Sequence, residues 1–210
     1  MSAVAKSLKY RLAHGALSLV ARLPLGVLYI LSDLTWLVMT LVVRYRRKII
    51  TRNLRDSFPD LSNKEIARIR RRFYLNFTDY IFETVKLLHI SDAEMRRRMT
   101  FSGMEDVDRI LASSRPIVAY FSHCGNWEWV PSITLWSSLK PGEGTEFCQV
   151  YRPLRNELMD ALMLRLRSRF GSVSLTKKLV FLDLMRYRRQ GVATITGFMS
   201  DQKPSHGDEG

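Results

Sequence analysis

From Leu23 to Val43 the chain reads LPLGVLYILSDLTWLVMTLVV, 21 residues with Asp33 as the single charge, long enough to cross the ~30 Å hydrocarbon layer as a helix. Asp33 near the middle weakens insertion by about 2.5–3.5 kcal/mol, and Pro24 and Gly26 interrupt one end. No small-residue cleavage site follows a short apolar core, so the segment is expected to stay attached. Spanning the bilayer and lying in its interface are both compatible with the pattern, as is the plain alternative of a buried helix in a soluble protein. Between Ser62 and His89 the apolar residues Ile66, Ile69, Phe73, Phe77, Ile81, Val85 and Leu88 recur at three- and four-residue steps, which predicts an amphipathic helix. Ser62 and Glu65 form the capping box that opens it. A second, polar helix is predicted over Asp92 to Met99. The period then changes, and Pro116 to Phe121 is a short continuous apolar run, the pattern of a strand buried on both faces.

Helical and strand-like patterns alternate from there. A helix is predicted near Asn126–Ser138, a strand near Phe147–Tyr151 and a helix near Asn156–Phe170 closed by Gly171. A short strand near Val173, a helix near Lys177–Arg189 closed by Gly191 and a strand over Val192–Phe198 follow. This alternation predicts an α/β fold with a largely parallel sheet flanked by helices, preceded by membrane-associated helices. Residues 1–50 are expected to act as anchor and basic juxtamembrane segment, and residues 51–210 as the α/β domain. Leu139 to Glu146 is the one linker-like stretch inside the body, and no internal repeat is present. The final DQKPSHGDEG trails off directly after a strand; an open parallel sheet is expected to continue, so the C-terminal part of a longer protein is expected to be missing.

Charge sharpens this outline. The 33 Lys and Arg against 20 Asp and Glu leave +13, which points to an anionic partner. Eleven basic and three acidic residues fall between Arg44 and Arg72, a local excess of +8 directly after the apolar run. Such a cluster holds the following domain on the cytoplasmic side and attracts anionic lipid at ~1 kcal/mol per basic residue. Its leading arginines, Arg44, Arg46 and Arg47, are candidates for holding a substrate, either an anionic acyl carrier or a lipid phosphate. The basic run carries no recognised DNA- or RNA-binding motif, so nucleic acid is not expected as a partner. Two cysteines, Cys124 and Cys148, are too few for a disulfide framework or a cysteine-rich zinc site. His14, His89 and His206 have no ligand partner at a recognised spacing, and no metal is expected.

The chemistry concentrates in Phe121-Ser-His-Cys-Gly-Asn-Trp-Glu-Trp129, where a predicted strand ends and a helix begins, the place where α/β proteins collect functional groups. His123 and Glu128 are five apart, about 140° around an ideal helix, so they meet only if His123 lies in the turn. Gly125 permits that bend, Asn126 suits the helix cap, and Pro131 is placed to kink the helix. A carboxylate on one imidazole nitrogen would leave the other free to take a hydroxyl proton; a polar pair satisfying a turn explains the same spacing. Cys124 as nucleophile with His123 as base is disfavoured, because adjacent side chains at a strand end point apart.

HCGNWE, followed by Tyr151-Arg-Pro-Leu-Arg-Asn156 and Ser200-Asp-Gln202, resembles the bacterial lipid A biosynthesis (late) acyltransferases, membrane enzymes of the lysophospholipid-acyltransferase-like group. Leu31 to Leu34 and Arg52 to Ser62 also resemble the N-terminal region of that family. The resemblance implies a glycerol-3-phosphate-acyltransferase-like fold at the bacterial inner membrane with the catalytic domain facing the cytoplasm. His123 of the HX4E pattern would be the general base, Glu128 would orient it, and Arg152 and Asp201 would be required groups. Arg152 would suit an oxyanion or phosphate, and Asp201 would order either Arg152 or the imidazole. Asn126, Trp127 and Tyr151 would line the substrate site, with Trp129 a packing group. The implied reaction is direct transfer of an acyl chain from acyl carrier protein or coenzyme A to a hydroxyl of a lipid A precursor, with no cofactor. Acylation of a lysophospholipid, an aminolipid or another glycolipid, and a non-catalytic membrane-binding fragment, are the competing readings. The family runs longer past its DQ motif, so the resemblance implies further strands beyond this segment.

Overall fold

The computed structural model describes residues 7–202; His206 and most of the C-terminal tail lie outside them. Ser7 caps α1 (Leu8–Arg22) by accepting from the Tyr10 amide. Pro24 then opens α2 (Leu25–Leu37), whose last turns widen into a π-helical segment over Val38–Val43. Leu25–Val43 is the one helix among the described residues long and apolar enough to cross a membrane, and only 11% of its most apolar stretch is buried within the protein. Short α3 (Arg47–Ser57) leads to the 24-residue α4 (Asn63–Lys86). The expected capping box opens α4: Ser62 accepts from the Glu65 amide, and the Glu65 carboxylate accepts from Ser62.

α4 ties the N-terminal helices to the body. Ser32 Oγ on α2 donates to Asp79 Oδ1 (2.7 Å), and Tyr29 OH to Glu83 Oε1 (3.0 Å). Lys86 Nζ donates to the carbonyls of Ala21 and Leu23 at 2.9 and 2.8 Å, closing the C-terminus of α1. Arg70 reaches Thr51 on α3, and Tyr74 OH donates to the Tyr45 carbonyl. The face of α4 that is fully covered runs through Ile66, Tyr74 and Thr78, while Phe73 is 43% exposed. The helical period was correctly legible, but tertiary packing turned the helix so that Phe73 and Phe77 line a cavity.

After α5 (Asp92–Arg98) and α6 (Met104–Ala112) come β1 (Ile117–Phe121), β2 (Thr145–Tyr151), α7 (Glu157–Arg167), β3 (Val173–Thr176), α8 (Val180–Arg189) and β4 (Ala193–Met199). All four strands are parallel in the order β1-β4-β2-β3, so the α/β expectation holds. β1 departs from its predicted burial. It is an edge strand with Val118 and Tyr120 54% and 74% exposed, because no helix among the described residues covers that side. The segment after β1 also departs from expectation: Trp127–Leu135 is a 3₁₀ helix rather than an α-helix. Pro131 inside it lacks the N–H that an α-helical ladder needs there. Two cores result. One joins Leu87, Ile90, Met95, Trp129, Leu166 and Phe170; the other sets Leu111 of α6 on Phe147, Ala193 and Ile195 of the sheet.

Candidate active site

Parallel pairing alone brings two distant residues together. Phe121 ends β1 opposite Met199 at the end of β4, and the Ser200 amide still donates to the Phe121 carbonyl at 3.2 Å. Two residues further along both strands stand His123 and Asp201, with the same offset of 78 residues that relates every β1–β4 pair. Asp201 Oδ2 accepts from the His123 backbone amide at 2.9 Å, and its Oδ1 lies 2.8 Å from His123 Nδ1. These two hydrogen bonds, that from the ring first, hold the Asp201 carboxyl below the usual carboxylate range. An ionised carboxylate only accepts, so Nδ1 carries a proton, and it is Nε2 that holds the lone pair in the neutral form of the ring. Gly125, at φ +62°, makes the turn after His123, and the Trp127 ring meets the imidazole edge-on at 4.9 Å.

Glu128 has a different partner from the one its spacing suggests. It is 4% exposed and takes a bidentate pair from Arg167 of α7, Nε to Oε2 at 2.7 Å and Nη2 to Oε1 at 2.6 Å. Tyr80 OH of α4 adds a longer donation at 3.4 Å. Burial, then the nearby Glu128 charge, raises the Tyr80 hydroxyl well above its ordinary value, keeping it a neutral donor. The carboxylate that touches the imidazole is therefore Asp201, while Glu128 pins the 3₁₀ segment to α4 and α7. The 3₁₀ turn puts Glu128 on the buried side, against Arg167.

His123 and Trp127 stand between two cavities. The smaller, about 200 Å³, also includes Glu128, Tyr151, Arg152 and Arg167. Arg152, an exposed side chain just past β2, thus shares a wall with His123. The larger, about 760 Å³, opens toward α4 and takes in Phe77, Asp79, Glu83, Asn126 and Gln202. Asn126 makes no side-chain cap bond. Its Nδ2 donates to Glu83 at 2.8 Å, and its Oδ1 is buried without a partner among the described residues. Trp127 stacks on Tyr80 at 4.6 Å, and Trp129, 6% exposed, belongs to the core. Arg44, Arg46 and Arg47 do not join this site. They line a separate basic groove between α3 and α4.

Sequence reading missed Arg167, Tyr80, Asp79 and Glu83. Arg167 follows Met163 by four residues and precedes Phe170 by three, so a charge stands in the apolar stripe of α7. Asp79 and Glu83, four apart, place two carboxylates on one face of α4. Of the two cysteines, Cys124 is exposed and Cys148 is buried, its thiol pushed up to about 12 by that burial and then by Glu146 and Asp183.

The family model described as bacterial lipid A biosynthesis acyltransferase matches residues 4–209. The chain belongs to that family. No curated protein matches it. Within a lipid A acyltransferase framework, the matched span contains the turn after β1, the YRP segment after β2 and the DQ segment after β4. A lipid acyltransferase function is what the family supports. The strand ends carry His123, Arg152 and Asp201, and α4 brings Asp79 and Glu83 to the wall of the larger cavity.

Proposed function

We propose that this is a membrane-anchored O-acyltransferase in which His123 is the general base and Asp201 fixes its tautomer. His123 Nε2 takes the proton from an acceptor hydroxyl, whose oxygen attacks the carbonyl carbon of an acyl thioester. The carbonyl electrons move onto oxygen, and Arg152, on the shared wall, faces that negative charge. Collapse of the tetrahedral intermediate breaks the C–S bond and expels the thiolate, which takes up from the imidazolium the proton that the acceptor hydroxyl gave. An ester and a free thiol result, with no acyl-enzyme. The 2.8 Å Asp201–His123 contact at the meeting of the two cavities carries this reading.

In it, the acceptor enters the larger cavity, where the unpaired Asn126 Oδ1 and the aromatic walls Trp127 and Phe77 suit a hydroxyl-rich headgroup. The donor is acyl carrier protein or coenzyme A, reaching the Arg152 side, and the acceptor is a lipid A precursor at the cytoplasmic face of the inner membrane. Membranes carrying the full chain, supplied with labelled acyl carrier protein or acyl coenzyme A, are expected to acylate the lipid A precursor. His123→Ala and Asp201→Asn are expected to lower the rate by about 10²–10⁴-fold. Transfer only to a lysophospholipid would replace the acceptor; rates untouched by either substitution would mean the chain only binds membrane.

A further inference from the structure

The groove between α3 and α4 is distinct from the site around His123 and has its own chemistry. It encloses about 970 Å³ and is lined by seven basic side chains against one acid, Asp56. Arg70 donates to Thr51 across it and Arg55 to Asn63. Arg44, Arg46, Arg47, Lys48 and Arg52 enter no ion pair among the described residues. Like charges so gathered repel one another unless an anion sits among them.

The backbone supplies a second observation. Arg44 and Arg46 both hold left-handed conformations, φ 50° and 48°, which L-residues adopt at a cost that glycine avoids. Arginine at both positions gives up local stability and keeps two guanidinium groups. Strain of this kind collects where a ligand is held. Arg46 is also the N-cap of α3 and makes no side-chain cap bond, so the positive end of that helix joins the groove.

Position identifies the source of the anion. Arg44 ends the apolar helix, and Leu41, Val42 and Val43 just before it are 66%, 75% and 61% exposed. With those side chains in hydrocarbon, the groove lies at headgroup level. We infer that it is a binding site for the phosphate headgroup of an anionic membrane lipid, separate from the acyl-transfer site and independent of whether that site is active.

The test uses the full chain in maltoside micelles, titrated with dihexanoyl phosphatidic acid, dihexanoyl phosphatidylcholine, inorganic phosphate and acyl carrier protein. Phosphatidic acid is expected to bind saturably, at least tenfold tighter than phosphatidylcholine or inorganic phosphate, and more weakly as salt rises. The double variant Arg44→Gly/Arg46→Gly is expected to weaken that binding at least tenfold while unfolding at the same or a higher temperature, since glycine relieves the left-handed strain. Arg47→Gln/Arg52→Gln is expected to weaken it likewise without touching the strained positions. Equal binding of phosphatidylcholine, inorganic phosphate as tight as the lipid, or unchanged affinity in both variants would overturn the inference. Acyl carrier protein binding that these substitutions abolish, with phosphatidic acid unaffected, would make the groove a protein-docking surface instead.

Discussion

Two carboxylates near one imidazole do different work. Asp201 is partly open to water and fastened to His123 by a ring and a backbone hydrogen bond; Glu128 is buried and fastened to Arg167. Breaking a buried pair from one side strands the other charge, at about 3–5 kcal/mol. Arg167→Met is accordingly expected to lower the stability of the full chain by about that amount in denaturant titration, and Glu128→Gln by somewhat less because the amide still accepts. Asp201→Asn is expected to leave the unfolding midpoint nearly unchanged and to act on the rate. Equal loss of stability in Asp201→Asn and Arg167→Met would contradict this division. The pH dependence has a definite sign. Because folding depresses the Asp201 carboxyl, its pairing is complete above the unfolded carboxylate value and is lost as pH falls through the lower folded one. His123 and Glu128 were visible in the sequence as a spaced pair, but spacing is blind to a partner 78 residues away. Only the strand order brings Asp201 to the imidazole, and no local pattern encodes that order.

Among the elements, the turn after β1 is the most exacting. Gly125 holds φ +62° with nothing within 4 Å of where a Cβ would stand, so Gly125→Ala tests backbone conformation alone. It is expected to cost about 1–2 kcal/mol in denaturant unfolding and to slow acyl transfer by displacing His123. Gly197 poses the opposite constraint. A Cβ there would lie 2.6 Å from Phe121 Cε1, so β4 gives up a side chain to seat the ring that walls the smaller cavity. Helices and strands were largely legible because their periods differ: the capping box of α4 and the glycine stops after α7 and α8 all appear in the structure. α3 and α6 were not predicted, and burial was misjudged in β1. Val118 and Tyr120 read as interior residues by composition, yet they point to the face of β1 that no helix among the described residues covers. Pro131 could be read as a kink, but spacing does not show the whole segment turning 3₁₀, with Glu128 against Arg167 and Trp129 in the core.

Over the whole molecule, α4 is shared by the apolar helices and the site. Glu83 accepts from Tyr29 of α2 and from Asn126 beside His123. Asp79 accepts from Ser32, and Lys86 closes α1. Removing residues 1–43 would strip these charged groups of hydrogen bonds worth roughly 1.5–3 kcal/mol each and uncover the surface that Ala21 and Leu28 fill at 0% exposure. A chain starting at Arg44 is therefore expected to unfold at much lower denaturant than the full chain, or to aggregate; a midpoint equal to that of the full chain would refute the coupling. The same linkage acts as a ruler. With Leu25–Val43 seated in lipid, side chains on a single rigid rod fix the altitude of the imidazole above the hydrocarbon. Acceptors would then be sorted by how far their hydroxyl projects from their own tails.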